Sequence, residues 1–392
     1  IIALVLVLLV GSSLLFANTG GSSVSFSWNS NGKSGSWSSG NNQEMPDSKE
    51  KFFESFYQST DTDSAVINIP TVEADTSYTL ELNEPGEAEL DLKTLYEQCA
   101  PSIVAIYGYV DGQTGYYWGT GVILSEDGLI LTNTHVIDGC DTAKVELFDK
   151  TEYDARLVGA DTISDIAVLK IDADGLTAAS FGESKDLAVG DKVAAIGNPL
   201  GEAFRMTLTD GIISAIERGV SYKGRSMTLL QTNTAINEGN SGGALFNMYG
   251  QVIGITNMKM MSSYSSIEGI GFAIPSSTVQ GVVNSLIRDG EVRGRPSIGI
   301  TVGGIPASAK EKYGLPDGLY VSGVQENSDA AKQGIKVGDI ITEVNFQPVT
   351  TTDEISDIKN TLEVGDAMIF KLWRDGETFE VSVMLMDTND LY

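Results

Sequence analysis

The sequence predicts a mainly β protein: a barrel or sandwich of many short strands, followed by a smaller unit that mixes strands with short helices. Three observations predict it. Apolar, β-branched runs recur at short intervals from about Asp91, punctuated by Gly, Asp and Asn, with no long helical pattern between them. The apolar period then changes once, at Ser276, to threes and fours. Beyond residue 294 a second set of strand and helix signals begins, with an Asp-Gly hairpin near its end.

The strand runs are SIVAIYGYV (102–110), GTGVILS (119–125), LILTNT (129–134), AKVELFD (143–149), DIAVLKI (165–171) and DKVAAIG (191–197). GIISAI (211–216), TLLQT (228–232), QVIGITNM (251–258) and IGFAIP (270–275) continue them. Val279, Val282, Val283, Leu286 and Ile287 then share one helical face, with a serine cap expected before them and Gly290 after. That helix closes a unit over 92–290. The second unit, 294–388, opens on SIGITV and continues through LYVSGV, a short helix over 328–333 and GDIITEVN. A helix over 353–362 follows, with Ile355, Ile358, Lys359 and Leu362 on one side, and then the hairpin MIFKLWR, Asp375-Gly376, TFEVSVML.

Residues 1–17, IIALVLVLLVGSSLLFA, carry no charge and read as a membrane anchor; a signal-peptide core and a buried helix are the competing readings. Leu15 is a poor third-last residue for cleavage after Ala17, which favours a retained anchor. Residues 18–91 read as linker, rich in Ser, Gly and Asn to Asn42 and acidic after it. Within it, Phe52, Phe53, Phe56 and Tyr57 have the spacing of a short amphipathic helix, expected to lie in solvated linker, with an interaction segment as the alternative.

At 392 residues the chain can hold two or three domains. Its 25 Lys plus Arg stand against 53 Asp plus Glu, a formal net charge of -28 that repels phosphate backbones, so nucleic acid is not an expected partner. The two cysteines, Cys99 and Cys140, form no CxxC, which excludes zinc ribbons and thioredoxin-type motifs. A Cys99–Cys140 bridge and two buried free thiols both remain open. There is a single histidine, His135, so no multi-histidine metal site can form within the chain. No metal or organic cofactor is expected.

A serine hydroxyl attacks a carbonyl only when a base within hydrogen-bond reach takes its proton, and that base needs a third group to hold its tautomer. The developing oxyanion needs N–H donors, which glycine-flanked backbone can supply. The parts occur in order: His135 in TNTHV, Asp165 in SDIAVLKI and Ser241 in GNSGG. Singly they are weak signals, since GNSGG strings are also turns and an Asp often opens a strand. Together they point to a serine nucleophile with His135 as base and Asp165 as its orienting group. The order His, Asp, Ser is that of two-barrel chymotrypsin-like peptidases.

With these motifs, and with PSIVAI (101–106), GTGVIL (119–124), AIGNPLG (195–201), INEGNSGGALFN (236–247) and GIGFAIPSS (269–277), the sequence resembles the HtrA (Deg) serine peptidases over about 92–388. The resemblance implies a trypsin-like double β-barrel followed by a β-rich α+β PDZ domain. It assigns His135, Asp165 and Ser241 to a catalytic triad, and the N–H groups of Gly239 and Ser241 to the oxyanion hole. Glu238 and Ala244 stand where the family often has Pro, and Asn233 where it often has Asp.

Six residues before Ser241, where selection of Lys or Arg uses an Asp, stands Ala235. By resemblance Ala235, Ile236 and Met260 line a specificity pocket for small or medium aliphatic residues. The resemblance also makes Ser297, Ile298, Gly299 and Ile300 the loop that captures a peptide C-terminus as an added strand. The expected protein is an ATP-independent endopeptidase, membrane-anchored with its domains outside the cytoplasm, acting as a homotrimer on misfolded or unfolded exported proteins. A tethered chaperone or PDZ adaptor with an idle peptidase domain, and a regulatory peptidase of narrow specificity, are the alternatives.

Overall fold

The computed structural model describes the backbone of residues 5–10, 13–20, 23–30 and 33–38, and residues 48–56, 66–73, 76–199, 204–222, 225–257 and 269–391. Two compact units result: 63–292, and 1–62 together with 293–392.

Residues 1–17, expected as an anchor, carry strand backbone from Val5: β1 (Val5–Val10) pairs antiparallel with β2 (Ser13–Gly20). β3 (Ser23–Ser30) and β4 (Lys33–Ser38) extend the sheet through what the composition suggests is coil. The sequence SVSFSW over 23–28 alternates with period two, which suits a pleated strand. Among the described residues no helix is long and apolar enough to cross a membrane. Further on, Phe52, Phe53 and Phe56 do lie on a helix, α1 (Lys49–Phe56), though not a solvated one, while Tyr57 lies outside the described residues. Phe53 is 1% exposed and stacks on Tyr320 with ring centroids 3.8 Å apart, while Lys49 Nζ pairs with Asp375 Oδ1 at 2.6 Å.

The unit 63–292 begins well before residue 92. Residues 66–73 and 76–90, expected as linker, lie along it as an extended strap: Ile69 and Leu80 are buried, Val72 N donates to Leu157 O, and Leu80 N donates to Asn284 Oδ1. The sparse apolar residues of this acidic stretch are the ones that dock. Asp91, whose carboxylate accepts the Thr94 N–H, then caps α2 (Leu92–Cys99).

Six strands close the first barrel: β5 (Ile103–Tyr109), β6 (Tyr117–Ile123), β7 (Leu129–Thr132), β8 (Thr142–Glu146), β9 (Glu152–Asp161) and β10 (Ile166–Ile171), in the order β10-β7-β6-β5-β8-β9. The short strand β11 (Ser180–Phe181) leads into the second barrel. That barrel comprises β12 (Lys192–Gly197), β13 (Thr207–Tyr222), β14 (Arg225–Thr232), β15 (Ala244–Asn247), β16 (Gln251–Thr256) and β17 (Gly271–Pro275), closed by the β16–β17 pairing. The expected double barrel is therefore the observed fold. The helix α3 (Ser276–Asp289) buries Val279, Val282, Val283, Leu286 and Ile287, the face that the periodicity marks, and Gly290 ends it at φ 74°. Its start differs from expectation. Ser276 Oγ donates to Gly182 O instead of capping the helix, because Pro275 occupies the cap position.

The second unit holds β18 (Pro296–Ser297), β19 (Ile300–Gly304), α4 (Ala307–Tyr313), β20 (Leu319–Val324), α5 (Asp329–Lys332), β21 (Ile340–Val344), β22 (Gln347–Pro348), α6 (Thr352–Lys359), β23 (Ala367–Arg374), β24 (Glu377–Met384) and β25 (Met386–Asp387). Asp375 at φ 51° and Gly376 at φ 93° make the tight turn between β23 and β24 that their residue types predict. Thr351 and Glu354 form a reciprocal capping box on α6.

Cys99 and Cys140 are free thiols, so the bridge does not form. They belong to different hydrophobic cores: Cys99 packs with residues of the second barrel, such as Phe246, and Cys140 sits within the first.

Candidate active site

His135 lies on a 3-10 turn (Thr134–Val136) directly after β7, and Asp165 directly precedes β10. These strands are antiparallel neighbours with Thr132 opposite Ala167, so both residues overrun the same barrel end. Thr134 Oγ1 ties the turn down through the carbonyls of Asp161 (3.0 Å) and Ile166 (2.8 Å). Asp165 adopts φ 56°, the left-handed region that a non-glycine residue enters at a cost, and Asn133 Nδ2 holds its carbonyl there at 2.8 Å.

The Asp165 carboxylate is held from three directions. Oδ1 accepts the His135 backbone N–H at 2.9 Å, and Oδ2 faces His135 Nδ1 at 2.6 Å. Asn257 Nδ2, just after β16, donates to the same Oδ2 at 3.0 Å. A carboxylate only accepts, so the imidazole proton sits on Nδ1 and Nε2 keeps a lone pair for a proton from a nucleophile. Both side chains are mostly shielded, His135 at 13% and Asp165 at 14% exposure, so solvent competes little for these bonds.

Ser241 comes from the second barrel, on the loop between β14 and β15. Backbone bonds shape that loop: Asn240 N to Asn237 O, Gly243 N to Asn240 O, and Gly242 N to Thr256 O. Gly242 has φ 82°, and a Cβ there would meet Thr120 O at 2.2 Å, so no side chain fits. Thr120, on β6 of the first barrel, grips the loop twice. Its N–H donates to Ser241 O at 2.9 Å and its hydroxyl to Gly239 O at 2.7 Å. The same hydroxyl accepts the Asn198 N–H at 2.9 Å, while Asn198 Nδ2 reaches Val104 O. Gly239 sits at φ 95°, where a Cβ would meet Asn198 O at 2.3 Å. Glu238 beside it is exposed.

Continuous contacts thus run from the Ser241 loop through Thr256, whose hydroxyl bonds Asn240 O, to Asn257, Asp165 and His135. Sequence reasoning misses Asn257, Asn133, Thr120 and Asn198. They lie in or next to motifs already quoted, but nothing in their spacing tells a structural amide or hydroxyl from one aimed at the site.

Residues 119–255 match the trypsin-like peptidase domain family, and residues 296–385 the PDZ domain family. The chain is 42% identical over 284 residues to the serine protease Do-like HtrA of Lactobacillus helveticus, covering 69% of this chain and 68% of that protein. It is 39% identical over 274 residues to a probable periplasmic serine endoprotease DegP-like of Halomonas elongata, spanning 57% of that longer protein. Among solved structures, the serine endoprotease from Yersinia pestis is 36% identical, with TM-score 0.58 over 77% of this chain and 99% of that one. The chain belongs to the HtrA family of serine proteases.

In this HtrA chain the residues expected around the specificity pocket are only partly described. Ala235 is exposed, its carbonyl accepting from Thr209 Oγ1 at 3.1 Å, and Ile236 is half-buried beside Gly271. Met260 lies outside the described residues. In the PDZ domain Ile298 is buried, Gly299 takes φ 74°, and Ile300 begins β19, whose apolar side packs with Ile355, Ile358 and Leu362. Ser297 Oγ accepts the Gly299 N–H at 3.3 Å and Gln325 N donates to Gly299 O, so the loop is pinned on both sides.

Proposed function

We propose that this HtrA chain is an active serine endopeptidase in which Ser241 attacks the peptide bond. His135 takes the hydroxyl proton on Nε2 and later hands it to the leaving amine. Asp165 fixes the ring and stabilises the imidazolium, and the N–H groups of Gly239 and Ser241 receive the oxyanion. The observation that carries this reading is the 2.6 Å pairing of His135 Nδ1 with Asp165 Oδ2, reinforced by Asn257 from the barrel that bears Ser241.

The substrates are unfolded or misfolded exported polypeptides, cut without ATP and preferentially after small or medium aliphatic residues, since Ala235 supplies no charge for Lys or Arg. Ser297, Ile298, Gly299 and Ile300 bind peptide C-termini as an added strand. The domains work outside the cytoplasm, a reading supported by the periplasmic name of the Halomonas relative. Tethering by the uncharged residues 1–17 and assembly as a homotrimer belong to the same proposal. A fluorophosphonate probe tests it. Labelling is expected at Ser241, absent in Ser241→Ala and nearly absent in His135→Ala, because no second histidine can act as base. An unlabelled native chain, with unfolded protein present, would leave the idle-peptidase alternative standing.

A further inference from the structure

We infer that Trp118, with Tyr116, forms the subsite for the residues just after the scissile bond, and that it selects a bulky apolar or aromatic side chain there. The inference deepens the proposed peptidase activity and rests on it.

The imidazole gives its proton to the leaving amine, so the leaving half of a substrate runs along the barrel that carries His135. Trp118 belongs to β6 of that barrel. Its neighbour Gly119 is packed so closely on the His135 turn that a Cβ there would meet Val136 Cγ1 at 2.6 Å, and Ser241 O at 3.3 Å. The indole itself reaches the nucleophile loop. Trp118 Nε1 and Cδ1 lie 2.7 and 3.0 Å from where a Cβ on Gly239 would stand. Ala235 and Ile236, by contrast, belong to the second barrel and to the acyl half of the substrate.

Tyr116 and Trp118 are 44% and 39% exposed, two large aromatics that share one side of the strand. They are not loosely held. The Tyr116 ring meets Tyr107 edge-on at 5.1 Å, Tyr109 at 6.0 Å and Trp118 at 6.5 Å, which anchors the group on β5. A rigid aromatic face continuous with Gly239 and Ser241 loses little conformational entropy when an apolar side chain lies on it. Its occupant is therefore the substrate segment that the chemistry already threads past it.

The test uses internally quenched peptides that differ only in Phe or Ser at the first, or at the second, position after the scissile bond. The full chain is expected to favour Phe in kcat/KM by about tenfold at one of these positions, falling to near unity in Trp118→Ala. Tyr116→Ala, which removes the ring that meets Trp118, should lower the ratio severalfold and serves if Trp118→Ala fails to fold. Equal rates at both positions in the native chain overturn the inference, as does a ratio that neither variant changes. Burial of the patch against a second copy is the rival occupant. Sedimentation would then show Trp118→Ala with a lower mass and an unchanged ratio, which also overturns it. Fluorophosphonate labelling of the same preparations separates the two levels: labelling without a ratio sinks only the subsite, whereas no labelling sinks the peptidase reading beneath it.

Discussion

Asn257 Nδ2 stands 3.0 Å from Asp165 Oδ2, the oxygen that also faces His135 Nδ1 at 2.6 Å. The two residues come from different barrels, so this hydrogen bond ties the barrel bearing Ser241 to the one bearing His135. With the His135 N–H on Oδ1, the carboxylate has no free rotation left, and the imidazole inherits that fixed orientation.

Asn257→Ala should therefore act on turnover more than on binding. Removing the amide leaves Oδ2 with one donor and opens a small buried gap. The expected result is a roughly tenfold fall in kcat with KM little changed, and a stability loss of about 1 kcal/mol. Steady-state kinetics on a peptide substrate, with chemical denaturation alongside, checks both. An unchanged kcat would reduce Asn257 to a structural amide.

Thr120→Val keeps the shape of the side chain and removes only its hydroxyl. Gly239 O then loses its donor and the Asn198 N–H its acceptor, so the loop is free to turn the Gly239 peptide away. A fall in kcat of about tenfold or more is expected without loss of the fold, because a mispositioned oxyanion donor costs up to what a missing one does. Circular dichroism and active-site titration distinguish a turned loop from an unfolded chain.

Gly239→Ala is the harsher test of the same loop. At φ 95°, with Asn198 O only 2.3 Å from the new methyl, the backbone must move. Loss of one oxyanion donor costs about a hundredfold to a thousandfold in kcat, and a drop of that order is expected. Activity near the native level would show that the Gly239 N–H is not an oxyanion donor.

The thiols give a pH prediction. Burial pushes Cys99 and Cys140 from an ordinary value of 9.0 up to about 11, with nearby Asp138 and Asp141 adding to the rise at Cys140. The folded state then favours the protonated thiol. The stability this represents is fully present below pH 9 and is lost as pH rises toward 11, because only the unfolded chain ionises readily. Denaturation midpoints should fall across pH 9–11, and less steeply in Cys99→Ala. At neutral pH neither thiol should react with iodoacetamide until the chain is unfolded.

The motifs that supply the proposed site were legible in the sequence. TNTHV, SDIAVLKI and GNSGG are local motifs whose backbone requirements, a turn after a strand and a glycine-flanked serine, are written in adjacent residues. The β-rich character was legible too, since short apolar, β-branched runs bounded by turn residues mark most of the barrel strands. The strap over 66–73 and 76–90 was not. Its composition is that of a linker, and only the docking of Ile69 and Leu80 onto a surface built from distant residues orders it. The aromatic residues of α1 were noticed, but their stacking on Tyr320 needed the tertiary fold. The cysteine question likewise turned on placement: two thiols in separate cores cannot meet, whatever their spacing along the chain.

By itself, then, the sequence determined the fold class and offered the candidate groups in their order, because each depends on neighbouring residues or on local pattern. Tertiary structure alone decided which further groups hold them. Asn257 lies 92 residues from Asp165, and Thr120 lies 119 from Gly239. A hydrogen bond across such a separation leaves no pattern along the chain. It exists only because closure of the two barrels brings a lone amide and a lone hydroxyl to buried acceptors that need them.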